Sequence, residues 1–313
     1  MYLKIKNILK GHYYYLLKLK SKLFYGNPVL VLMYHRINNE IGTNLKGITV
    51  TPQIFEEQVI YFKNKFTVLK FNDSWKGLKK PGIILTFDDG YADNFLNALP
   101  ILEKYQIPAI FFITTKNINT KYEFWWDKFD CIYESLSEWY YVPGEKDKVS
   151  KKEHSFKVMT TKVAKLTSNE KEKWFKEFEH INKIQFKERD AFRSLSEAEL
   201  KKIIKHPLIT VGVHTHNHFS FKELDEKEQL DELLLSTNFW KKNFSIEPKL
   251  FAFPHGSYNS KSVEVLKKLG FSHLFLANDY YSNSKQKNNG IIYRIIMPNI
   301  TGEKLEKRLK HFT

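Results

Sequence analysis

Short apolar runs that close on a polar, glycine or proline residue recur along the chain. Val29–Tyr34 ends at His35, Gly82–Phe87 runs into Asp88, and Ile209–Val213 ends at His214. Ala109–Ile113 follows Pro108, residues 250–253 end at Pro254, and further runs fall at 66–71, His273–Leu276 and 291–296. Their apolar residues are continuous rather than alternating, the pattern of strands covered on both faces. Stretches such as 52–64 and 92–105 predict helices between them, and alternating strand and helix predicts a parallel sheet or barrel. From about 117 to 207 the rhythm changes to helical and highly charged, which reads as a helical insertion carried on the main domain. Ser196 and Glu199 have the spacing of a reciprocal helix cap near its end.

Composition narrows the class. With 42% hydrophobic and 15% aromatic residues the chain can bury a core. No apolar run reaches the ~18 residues of a spanning helix. Cys131, the lone cysteine, excludes an internal disulfide and a cysteine-rich metal site and reads as a packing residue. The net charge of +15 permits an anionic partner, yet no nucleic-acid-binding signature accompanies it, and nucleic acid is not expected. Residues 1–27 form a basic amphipathic segment. It has no uninterrupted apolar core and no small-residue cleavage site, so no cleavable signal is expected. It suits either peripheral contact with an anionic membrane face or packing across the domain. A cytoplasmic location at the inner face of the membrane is the expectation.

The polar strand ends carry the chemistry, because βα architectures place their sites at the carboxyl ends of strands. Asp88, Asp89, His214 and His35 all fall at such ends. An isolated Asp-Asp-Gly is also a turn with a helix cap. His214 and His218, four apart at another strand end, alter the balance: one tight turn brings both imidazoles to one side. Two imidazoles and a carboxylate make a catalytic metal shell with positions left open. His216 would point elsewhere, in a structural role.

Thr86-Phe87-Asp88-Asp89-Gly90-Tyr91 and His214-Thr215-His216-Asn217-His218 resemble the first two motifs of the polysaccharide deacetylases, carbohydrate esterase family 4. The resemblance implies an α/β fold, a distorted (β/α)7-type barrel, with residues 28–313 as the catalytic domain. It implies Asp88 as general base, and Asp89, His214 and His218 as ligands of a divalent metal, with zinc favoured and cobalt or nickel also fitting. Phe253-Pro254-His255-Gly256 resembles the third motif, whose backbone helps form an oxyanion hole. His255 stands where the family usually has tyrosine, and the family's preceding arginine is absent. A late Leu-x-His is missing. Instead Leu32-Met33-Tyr34-His35 and Thr49-Val50-Thr51-Pro52 resemble the circularly permuted branch that deacetylates β-1,6-linked N-acetylglucosamine polymers, which implies His35 as general acid. Arg294 would either pair with Asp88 and keep it ionised or serve a rim ion pair. The resemblance spans roughly residues 28–112 and 196–298. Trp125 and Trp126, at the start of the insertion, would clamp it to the barrel or stack on a sugar ring. The implied activity is metal-dependent removal of N-acetyl groups from amino sugars of a bacterial surface polysaccharide or its precursor. Hydrolysis of another acyl amide or an O-acetyl ester, and a silent carbohydrate-binding module, are the competing expectations.

Overall fold

The structure is a computed structural model that describes residues 23–313. Residues 1–22, most of the basic amphipathic segment, lie outside the described residues. The strands that position the site are β1 (Val29–Tyr34), β2 (Gly82–Phe87), β3 (Ala109–Ile113), β4 (Ile209–Val213), β5 (Leu250–Ala252), β6 (His273–Leu276), β7 (Ile291–Tyr293) and β8 (Ile295–Ile296). They run parallel in the order β7-β6-β5-β4-β3-β2-β1-β8.

The first and last members of that order are one stretch of chain divided by Arg294. Before it, Ile291 to Tyr293 pair with Leu274 to Leu276. After it, Ile295 and Ile296 pair with Leu32 and Met33. One interrupted stave therefore closes the sheet, giving the distorted seven-stave α/β barrel that the family resemblance implies. The run at 66–71 contributes only Thr67–Val68, which pairs with Gly82 and Ile83 at the foot of β2.

Both faces of the staves are buried, which explains their continuous hydrophobicity. Leu30, Leu32, Leu85, Phe87, Phe111 and Ile113 pack outward under helix residues such as Phe55, Val59, Leu200 and Trp240. Their neighbours Val29, Val31, Ile84, Ile110, Phe112, Phe275 and Ile292 form a second, smaller cluster inside the barrel. Because side chains alternate faces along a strand, the inward series Ile84 and Thr86 continues to Asp88, and Ile292 continues to Arg294. The sequence period itself aims both charged groups into the barrel mouth.

The helices follow their local signals. Thr51 caps Pro52–Lys65 by accepting from the Ile54 N–H. Ser196 and Glu199 form the predicted reciprocal cap of Glu197–Lys205, whose Leu200 and Ile203 join the barrel core. The helix expected over 92–105 starts as a π-helical turn, Asn94–Ala98, before Leu99–Tyr105. Pro100 lacks the N–H that an α-helical ladder would use there.

Helices Trp125–Ser135, Phe156–Ala164 and Ser168–Ile181 pack around a separate cluster that includes Phe129, Tyr133, Met159, Phe175 and Phe178. An ion pair between buried Glu123 and part-exposed Arg189, 2.6 Å, ties the two ends of this unit together. Among the described residues no helix is long and apolar enough to cross a membrane.

Candidate active site

Asp88 extends β2, its N–H donating to the Tyr34 carbonyl at 2.9 Å. The chain then turns through two left-handed residues, Asp89 (φ 75°) and Gly90 (φ 87°). A Cβ on Gly90 would stand 3.2 Å from Ile113 Cγ2, so glycine suits both the angle and the space. This turn separates the two carboxylates: Asp88 stays on the inward face, and Asp89 swings toward the next strands.

At the end of β4, the His214 N–H donates to the Ile113 carbonyl, and Thr215 (φ 66°) and His218 (φ 59°) are left-handed. Each such non-glycine residue costs about 1–2 kcal/mol. The loop therefore persists only because its surroundings hold it. One support is internal: the His218 N–H donates to Thr215 Oγ1 at 3.0 Å. The result brings His218 Nε2 to 3.1 Å and His214 Nε2 to 3.3 Å from Asp89 Oδ1. His216 turns away and meets Thr115 Oγ1 at 2.8 Å.

Three observations fit this triad to a divalent cation. All three residues are buried, and their ligand atoms lie within 4.8 Å of one another. His214 Nδ1 sits 2.8 Å from the Ala252 carbonyl, which can only accept, so Nδ1 carries the proton and Nε2 faces Asp89 as a lone pair. Asp89 Oδ1 is buried without an aligned hydrogen bond. A cation between Asp89 Oδ1 and the two Nε2 atoms would satisfy all three groups at once.

Asp88 has a different partner. Arg294 grips it with Nη1 to Oδ1 at 2.6 Å and Nη2 to Oδ2 at 2.8 Å, and Nη1 also reaches Thr86 Oγ1 at 3.2 Å. Burial pushes the Asp88 carboxyl up, but Arg294 and His214 outweigh it and hold the pKa below the ordinary value. Asp89 is held well below, burial again being outweighed by the neighbouring histidines. The histidines diverge. For His218 burial prevails and lowers the pKa, whereas for His214 the two carboxylates overcome burial and raise it.

A cleft of about 710 Å³ opens over these groups. His35, just past β1, lines it, with its carbonyl accepting from Asn94 Nδ2 at 2.7 Å. His255, left-handed at φ 56°, lies in the turn Pro254–Gly256 after β5, and its ring stands 4.6 Å from that of His218. The structure thus gathers Asp88, Asp89, His35, His214, His218, His255 and Arg294 around one cleft, whereas Pro254, expected in its wall, is buried and does not line it. Trp125, Trp126 and Phe156 supply an apolar wall from the inserted helices. The Trp126 ring lies 4.5 Å from that of His218. A chain of hydrogen bonds fixes it: Trp126 Nε1 donates to Tyr91 Oη at 2.7 Å, and Tyr91 donates to Asp127 Oδ2 at 2.6 Å. Tyr91 adjoins the Asp-Asp motif, but nothing in the sequence pairs it with the insertion.

A barrel of parallel strands with two carboxylates and two histidines at its mouth can carry metal-assisted hydrolysis. The family model for polysaccharide deacetylase matches residues 76–189 and 180–274, and the chain belongs to that family. It is similar to the poly-β-1,6-N-acetyl-D-glucosamine N-deacetylase of Staphylococcus aureus, 26% identical over 94% of this chain and 86% of the relative. Two solved structures share the fold. IcaB from Ammonifex degensii gives a TM-score of 0.59 at 17% identity, covering 90% of this chain and 96% of that one. The Streptococcus pyogenes deacetylase PplD in complex with acetate gives 0.55 at 18% identity, covering 91% and 98%.

Proposed function

We propose that the protein is a metal-dependent hydrolase that removes N-acetyl groups from amino sugars of a bacterial polysaccharide or its precursor. A β-1,6-linked N-acetylglucosamine chain is the first substrate to test. The observation that carries this reading is the division of labour between adjacent carboxylates, Asp89 facing His214 and His218 and Asp88 held by Arg294. The similarity to the staphylococcal deacetylase along nearly the whole chain supports the choice of substrate.

Asp89, His214 and His218 would hold the metal, with zinc the best match to two imidazoles and one carboxylate. When bound, the cation supplies Lewis acidity toward the carbonyl oxygen and lowers the pKa of a coordinated water. The chain's own groups do the rest. Asp88, kept ionised by Arg294, takes a proton from the attacking water. The backbone N–H of His255 would donate to the oxyanion as the carbonyl carbon becomes tetrahedral. His35 gives a proton to the departing nitrogen as the C–N bond breaks, leaving acetate and a free amine. Acid and base catalysis are each worth about 10²–10⁴-fold.

The deciding experiment measures acetate release by the zinc-loaded protein from β-1,6- and β-1,4-linked N-acetylglucosamine oligomers and from an O-acetylated glycan. Release from the first substrate and loss on chelation support the proposal. Release from the ester alone would replace it with an esterase. Stoichiometric metal with no release from any glycan would move the activity to another acyl amide.

A further inference from the structure

The histidine loop does not hold its shape alone. Behind it, Glu232 projects from the helix Glu226–Phe244 and is 3% exposed. Its Oε1 accepts from the His216 N–H at 2.8 Å and also from the Asn217 N–H. Its Oε2 accepts from Asn217 Nδ2 at 2.8 Å. Every one of these bonds lands between His214 and His218. Left-handed Thr215 turns successive N–H groups to one side, and such a row of donors forms a concavity for an anion. Here the anion is the protein's own carboxylate. The other side of Asn217 is occupied too, because Ser168 Oγ, at the first turn of Ser168–Ile181, donates to Asn217 Oδ1 at 2.8 Å.

We infer that Glu232 is a positioning residue for the metal triad, setting the approach of His214 and His218 to Asp89 by clamping the two residues between them. This rests on the metal reading above. The physical case is the cost of the alternative. Without the carboxylate, two part-buried N–H groups lose their acceptor, and of the loop's outside supports there remain the bonds from Thr114, Thr115, Lys116 and Ser168. Relaxation of the loop would swing His218 relative to His214, since both leave the same five-residue segment. Glu232 touches none of the reacting groups, so its effect must appear first in metal affinity. Partners that orient metal ligands from behind typically contribute about 10–100-fold in affinity.

The test compares zinc affinity, by competition with a chromophoric chelator, for the wild type, Glu232→Ala, Glu232→Gln and Glu232→Asp. Unfolding of each metal-free protein is followed in parallel. Glu232→Ala should bind zinc about 10–100-fold more weakly. Glu232→Gln keeps an acceptor oxygen for both backbone N–H groups and should recover most of that loss. Glu232→Asp keeps the charge but withdraws it by one methylene. It should therefore lose affinity while its metal-free unfolding midpoint stays near that of the wild type, which decides the matter if the alanine variant does not fold. Wild-type affinity in Glu232→Ala or Glu232→Asp would overturn the inference and leave the metal reading standing. A wild-type protein that binds no zinc would overturn the metal reading itself.

Discussion

Arg294 interrupts the stave that closes the barrel and uses that position to hold Asp88 in a two-pronged grip, 2.6 and 2.8 Å. Both groups are buried, Arg294 wholly so. The guanidinium therefore stabilises the ionised form of a carboxylate that burial alone pushes toward the protonated form. Arg294→Met should raise the Asp88 pKa, so the acid limb of the kcat/KM profile should move to higher pH. At pH 7 turnover should drop about 10²-fold or more. Removing one partner of a buried pair should also cost about 3–5 kcal/mol of stability. An unchanged acid limb in a folded variant would count against Asp88 as the base.

The adjacent carboxylates should separate cleanly by mutation. Asp88→Asn should abolish acetate release while zinc content, measured by atomic absorption, stays stoichiometric. Asp89→Ala should lose both, because its Oδ1 faces the Nε2 atoms of both His214 and His218, at 3.3 and 3.1 Å. Zinc retained at full occupancy by Asp89→Ala would reassign the site.

Much of this arrangement is legible in the amino-acid order, for a physical reason. Strands buried on both faces leave continuous apolar runs, so the ends of β1, β2 and β4 point straight to His35, Asp88 and His214. Period-two alternation then tells which polar residue enters the barrel. Groups recruited from helices leave no such trace. Glu232 sits in a stretch crowded with Glu and Lys, and nothing local marks it as the buried one. The hydrogen-bonded chain through Trp126, Tyr91 and Asp127 joins residues 35 and 36 positions apart by tertiary packing alone. The shortness of Thr67–Val68 likewise reflects context, since strand propensity does not report where pairing stops.

His35 is proposed to protonate a poor leaving group, and that role predicts a dependence on the leaving group. His35→Gln should lose about 10²–10⁴-fold in kcat toward an N-acetylated sugar. Toward 4-nitrophenyl acetate, whose phenolate departs without a proton, the same variant should retain most of its activity. Equal losses on both substrates would argue for a role in positioning rather than proton donation.

Asp127 provides a test that is independent of turnover. It is buried, and its pKa is pushed up to about 7, first by burial and then by the charges of Glu123 and Asp89, against the opposing pull of Arg36 and Tyr91. The unfolded chain releases this proton near the ordinary aspartate value of 3.8. Between about pH 4 and 7 the native state thus holds a proton that the unfolded state has lost, and stability falls as pH rises through that window. The slope from this one group is at most about 1.4 kcal/mol per pH unit. Asp127→Asn cannot titrate there. Measured without metal, its unfolding midpoint should gain on the wild type from pH 4.5 to 7, and the difference should level off above. Parallel profiles for the two proteins across that range would show that Asp127 is ionised in the fold, and that Tyr91 donates to a carboxylate rather than to a neutral acid.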